Sequence, residues 1–215
     1  MKIGVVVPIV GNEFIGPMLQ TIKANTVQPA EILVIDNRED PCDLNCYVTQ
    51  IMTWPSPRTV NESWNYGIDY MLKKRMDLIS VFNDDILLEK FFFEKMTSLA
   101  GIHEQAGVFC PETVKASDYV KNPLPVGAEQ CIKMKKREGW AWTIRGSIAE
   151  KVPPIPQEIA TFCGDDWYWF KAARLGIPWM KMKNTWCFHY VGRSMKITSR
   201  RQDLSADKAM FKFLA

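Results

Sequence analysis

The sequence predicts an α/β fold, a central sheet covered by helices, on three observations. Short apolar runs of strand length, Ile3–Val7, Glu31–Ile35 and Leu78–Phe82, alternate with longer segments whose apolar residues recur at helical spacing. Each run stops at a turn-forming cluster: Pro8 with Gly11-Asn12, Asp36-Asn37, and Asn83-Asp84-Asp85. The 215 residues are 47% apolar and 24% charged, enough for one sizeable core and too few for two ordinary domains.

In chain order, Ile3–Val7 reads as the first strand and Ile15–Ala24 as the helix after it. Glu31–Ile35 (EILVI) is the second strand, and Asn61 caps a helix carrying Trp64, Ile68, Met71 and Leu72 on one face. Leu78–Phe82 (LISVF) is a further buried strand, followed by a helix over Phe91–Leu99. The second half is less regular. Val108–Phe109 is a short strand opening into a long loop, Pro111–Glu138, and a loop of that length in a compact domain is usually functional. Trp140–Ile144 reads as a strand, Val152–Pro156 as a proline-rich turn, and Asp166–Leu175 as a helix closed by Gly176. Strands at Trp179–Met182 and Trp186–His189 precede a basic segment and a last helix, Ala206–Leu214.

Composition excludes several classes. With a net charge of +3, basic runs such as Lys133–Arg137 and Arg200–Arg201 are short, not the stripe of a dedicated nucleic-acid binder. Six cysteines without a CxxC pair, and two histidines, argue against a structural zinc site. The start, MKIGVVVPIVG, is an apolar run broken by Pro8 and Gly11, which reads as a buried strand and not a signal peptide. No apolar stretch approaches the ~20 residues of a membrane span. A reduced, cytoplasmic protein is expected. Eight Trp and eleven Phe suggest an aromatic-lined cleft as well as a core.

In open α/β sheets ligands collect at the carboxyl ends of the strands. Three acidic clusters fall at such ends or at a helix start: Asp36, Asn83-Asp84-Asp85, and Asp165-Asp166. Each alone reads first as a turn or N-cap residue; together, with His189 closing the apolar run WCFHY, they favour a site. Carboxylates directly after LISVF suit a hard divalent cation whose other positions go to water and phosphate oxygens. A borderline metal such as manganese accepts imidazole beside carboxylate.

Six segments, in order along nearly the whole chain, resemble the family 2 inverting glycosyltransferases of the GT-A fold: VVVPIVGN, EILVIDN, SWNYGID, VFNDDILLEKFFFEKM, GWAWTIRGSIAEKV and CGDDWYWFKAARLGIPWMKMKNTWCFHY. The resemblance implies a single GT-A (Rossmann-like) domain over 1–215, a mixed central sheet flanked by helices. About 1–100 would bind the nucleotide sugar, about 101–190 the acceptor, and 191–215 would be a basic segment with a short helix. It also implies transfer of a sugar from a nucleotide diphosphate sugar to an acceptor hydroxyl, with inversion and with Mn²⁺ or Mg²⁺. Asp36 would accept the ring N–H of uracil or thymine, which cytosine lacks, making a UDP-sugar the favoured donor. Pro8, Asn65, Asn83, Asp84 and Trp140 would line the donor site. Asp85 and His189, with Asp84, would hold the metal. Asp166 would be the general base, with Asp165 the alternative. Apart from the resemblance, the basic segment YVGRSMKITSRRQ reads either as a solvated tail or as a lid that orders on donor binding, with Arg193 on the diphosphate. Two departures stand out: Asn83 replaces the first Asp of the usual D-x-D, and Asp165 replaces the usual Glu.

Two other readings compete. A nucleotidyltransferase needs a glycine-rich, basic loop after the first strand, and VGNEFIG has no Lys or Arg. A non-catalytic nucleotide or sugar-binding module explains Asp36 and the aromatics but leaves Asp166 only a capping role. The sequence does not choose among polysaccharide, protein, small-molecule and modified-DNA acceptors.

Overall fold

The computed structural model describes the chain apart from residues 10–12, 39–42, 45–46, 55–57, 116–123, 137, 191–197 and 215, and within 198–203 it describes the backbone alone. The first strand, β1 (Ile3–Ile9), is buried on both faces, and its alternation divides the core in two. Ile3, Val5, Val7 and Ile9 face one cluster, which receives Ile15, Met18, Leu19 and Ile22 of α1 (Ile15–Lys23) and Phe92, Phe93, Met96 and Leu99 of α3 (Phe92–Ile102). Val6 faces the other, built on Trp64, Ile68 and Met71 of α2 (Val60–Lys73). Gly67 lets α2 close on β1: a Cβ there would lie 2.2 Å from Val6.

Among the described residues the sheet has nine strands. β2 (Glu31–Asp36) and β4 (Leu78–Phe82) flank β1, and β3 (Gln50–Thr53) lies outside β2, all in parallel pairs. Beyond β4, β8 (Ala141–Arg145) runs antiparallel between β4 and β6 (Val108–Val114), and β6 pairs in parallel with β9 (Trp179–His189). The far edge of β9 is shared by β7 (Gln130–Lys133) and β5 (Ile86–Leu88). The second face carries a short α4 (Gly146–Ala149) and α5 (Gly164–Arg174), and Met210, Phe211 and Leu214 of the last helix, α6 (Thr198–Leu214), pack on the same cluster. This topology brings the carboxyl ends of β1, β2, β4 and β9, and the start of β8, to one edge. Strand order reverses at β1, which is where open α/β sheets leave a crevice.

Several expectations are corrected. Thr59, not Asn61, caps α2: its side chain accepts from Glu62 N–H while the Glu62 carboxylate returns to Thr59 N–H, a complete capping box. The two late strands are one, bulged at Lys183-Asn184-Thr185, where Asn184 takes φ 61° and the polar run interrupts the apolar pattern. The long loop from Pro111 begins as the second half of β6 and contains β7. α6 starts at Thr198 instead of Ala206. Among the described residues no helix is long and apolar enough to cross a membrane.

Candidate active site

A cleft of about 410 Å³ opens at this edge. Pro8 of β1 and Asn83, Asp84 and Asp85 after β4 form one part of its wall. Lys136, Gly139 and Trp140 before β8, Val60 and Trp64 of α2, and Thr161 to Asp165 at the head of α5 form the rest. Six of the residues expected from sequence meet there: Pro8, Asn83, Asp84, Asp85, Trp140 and Asp165.

Asp85 and His189 come together because β5 and β9 pair with Ile86 opposite His189, and Tyr190 N–H donates to Asp85 O at 3.0 Å. Asp85 Oδ1 lies 3.2 Å from His189 Nε2. The approach lacks hydrogen-bond geometry, and Asp85 Oδ1 and His189 Nδ1 are buried with no hydrogen-bond partner among the described residues. Two donors each ~2.1 Å from one ion, at right angles, stand about 3 Å apart, so the pair fits adjacent positions on a divalent cation. Trp140 steadies the imidazole, its ring stacked at 5.0 Å and 16° and its Nε1 donating to Thr113 Oγ1 at 2.8 Å. Asp84 lines the cleft but does not complete a third ligand: the described residues hold no group of three His, Cys, Asp or Glu side chains suited to a metal. Water and phosphate oxygens would supply the remaining positions.

The acidic pair occupies the first turn of α5, where the helix dipole favours carboxylates. Cys163 precedes it at φ 61°, and Gly164 has no room for a side chain, since a Cβ would fall 2.3 Å from Asn61 Oδ1. Asp165 lines the cleft beside Gly139; Asp166, one position on, is 7% exposed and outside the lining.

No protein-family model matches the chain, and no curated protein matches its sequence. Solved structures do. GalNAc-T7, solved with UDP, GalNAc and Mn²⁺, superposes with a TM-score of 0.69 at 9% identity, over 87% of this chain and 43% of that one. S. aureus TarS gives 0.67 at 12% identity over 89% and 37%, and its 1–349 form in complex with UDP gives 0.67 at 12% over 87% and 60%. The fold is that of the GT-A glycosyltransferases. At these identities the likeness is one of fold, and the chain spans 37% to 60% of the length of these structures.

Within this GT-A fold the remaining expected residues separate. Asp36 ends β2 next to Ile9 of β1, outside the cleft lining, and its carboxylate is already held by Arg38. Arg38 Nε donates to Oδ1 at 2.7 Å and a terminal nitrogen to Oδ2 at 2.5 Å, both side chains being nearly fully buried. Asn65 lies outside the cleft lining: its amide donates to Ile155 O at 2.8 Å and accepts from Ile155 N–H at 2.9 Å, tying α2 to the proline-rich turn. Arg193 lies outside the described residues. Arg38, Gly139 and the 161–163 loop escaped the sequence reading; only Arg38, two positions after a strand-ending Asp, left a local signal.

Proposed function

We propose that this chain is a glycosyltransferase that moves a sugar from a nucleotide diphosphate sugar, with uridine the favoured base, onto an acceptor hydroxyl with inversion. The observation that carries the proposal is the cleft: at the carboxyl ends of a GT-A sheet it gathers Asp84, Asp85 and Asp165, with His189 on Asp85. Asp36, oriented by Arg38, would receive the ring N–H of the base. Asp85 and His189 would hold Mn²⁺ or Mg²⁺, whose charge, when bound, stabilises the departing diphosphate. Arg193 is proposed as a further diphosphate contact.

The base belongs to the pair heading α5. The family motif favours Asp166; the second reading, Asp165, is favoured by its place on the cleft wall. Either carboxylate would take the hydroxyl proton as the acceptor oxygen bonds to the anomeric carbon and the bond to the diphosphate oxygen breaks on the opposite side. Such proton transfer typically supplies ~10²–10⁴-fold, and holding donor and acceptor in line removes ~7–11 kcal/mol of barrier.

The test is release of nucleoside diphosphate from a panel of UDP-, dTDP-, GDP- and CMP-sugars, with Mn²⁺ and with EDTA. Turnover of a UDP-sugar, abolished by EDTA and by Asp85→Asn, is expected. Turnover of none of the panel defeats the proposal, full activity in EDTA removes the metal, and a product of retained anomeric configuration by NMR removes inversion. Of Asp165→Asn and Asp166→Asn, the base is the one that keeps UDP affinity and loses at least ~10²-fold in rate.

A further inference from the structure

The loop that leads into α5, 159–163, is held from both sides by groups the mechanism above does not use. From α2, Asn61 Nδ2 donates to the carbonyls of Ile159 (2.8 Å) and Phe162 (3.0 Å), and Asn61 N–H to that of Ala160 (3.2 Å). From α6, Asp207 receives the next three N–H groups: Ala160 on Oδ1 at 3.1 Å, Thr161 and Phe162 on Oδ2 at 2.8 and 2.6 Å. Asp207 is 3% exposed in mid-helix, while Ser205, Ala206, Lys208 and Ala209 around it are exposed. Asp is a weak helix former, and a buried carboxylate is costly without strong donors. Three charge-assisted bonds to one loop account for both the residue and its burial.

That loop forms part of the cleft through Thr161, Phe162 and Cys163, and only Cys163 and Gly164 separate it from the acidic pair. Neither residue offers slack. Cys163 sits at φ 61°, a conformation that persists in a non-glycine residue only when its surroundings hold it there. Gly164 is pressed against Asn61 and Trp64. A shift of residues 160–162 must therefore pass to the first turn of α5.

We propose that Asp207, opposed by Asn61, is the positioning residue of the candidate active site: the C-terminal helix sets the cleft-side loop and, through it, the placement of Asp165 and Asp166. Its kinetic consequence rests on the glycosyltransfer reading. Its structural consequence does not.

The experiment uses the full chain with Asp207→Asn, Asp207→Glu and Asn61→Ala. Hydrogen exchange at the amides of Ala160, Thr161 and Phe162 is expected to rise at least about tenfold in Asp207→Asn, whose amide group turns N–H toward N–H. The rate kcat should fall about 10–100-fold, the scale of a sub-ångström to ångström misplacement of reacting groups. UDP affinity, measured by titration with Mn²⁺, should stay within about twofold. Asp207→Glu, which keeps the charge, should recover part of kcat. Asn61→Ala reaches the same loop from the other side and decides the matter should Asp207→Asn not fold. Unchanged exchange at these amides overturns the proposal, as does an unchanged kcat with the amides released, or a loss of UDP affinity matching the loss of kcat. A wild-type chain that turns over no nucleotide sugar defeats the glycosyltransfer reading instead, and the exchange measurement alone then decides the clamp.

Discussion

Gly139 is a position where one added carbon reaches the candidate chemistry directly. A Cβ there would lie 2.4 Å from Asp165 Oδ2, so Gly139→Ala must displace either that carboxylate or the turn before Trp140. We expect kcat to fall about tenfold or more with UDP affinity little changed, since the diphosphate side is untouched; a proportional loss of UDP affinity would place Gly139 in donor binding instead. At the proposed nucleobase end, Arg38 grips Asp36 through two side-chain bonds, both side chains buried. Removing one member of such a pair strands the other charge, at about 3–5 kcal/mol. Arg38→Met should lower stability by that order in urea melts and weaken UDP binding, whereas an unchanged UDP affinity would take Asp36 out of base recognition. The sequence marked Asp36 as a strand-ending acid; Arg38, two positions on, was the one local sign that the carboxylate would be occupied.

At the scale of elements, the placement of His189 depends on how β9 is fastened after its bulge. Glu89 accepts Trp186 N–H at 3.2 Å, and the Lys95 ammonium bonds both Glu89 oxygens at 3.0 and 2.9 Å and the Asn184 carbonyl at 2.8 Å, with both side chains fully buried. The clamp joins α3 and the turn after β5 to the bulge, and so sets the register that brings His189 opposite Ile86. Burial pushes the Glu89 carboxyl above its ordinary range, against the pull of Lys95. The native state therefore binds this proton more tightly than the unfolded chain, so the penalty of the buried carboxylate is relieved as pH falls and is complete above the raised pKa. Lys95→Met should cost about 3–5 kcal/mol near neutral pH. The deficit should shrink on acidification toward pH 5, and adding Glu89→Gln should remove that pH dependence. Urea melts at the two pH values check this; a deficit that grows on acidification would show the sign to be wrong.

For the whole molecule, the proposed donor and metal sites, sharing one cleft, would make nucleotide a stabilising ligand. At ~100-fold above its Kd, UDP with Mn²⁺ adds about 2.7 kcal/mol. For a chain of this size that is roughly 5–10 °C in Tm, at about 2–4 °C per kcal/mol. The shift should collapse in EDTA and in Asp85→Asn. The same shift with and without metal, in wild type and variant alike, would separate UDP binding from the Asp85–His189 pair.

What the sequence determined by itself was the α/β class, the strands β1, β2 and β4, and the acidic residues that close β2 and β4. Those strands are buried on both faces, so an apolar run and a turn cluster suffice to mark them. Tertiary structure decided the rest. β3, β5 and β7 have three or four residues and are strands only because a neighbour pairs with them. Asp85 and His189 meet through the β5–β9 pairing, Asn65 turns out to serve the proline-rich turn, and Asp207 reaches across from the last helix to the loop before α5. Periodicity reports how one element meets the core. A bond from a side chain to a distant backbone group leaves no period, so these contacts became visible only once the chain had folded.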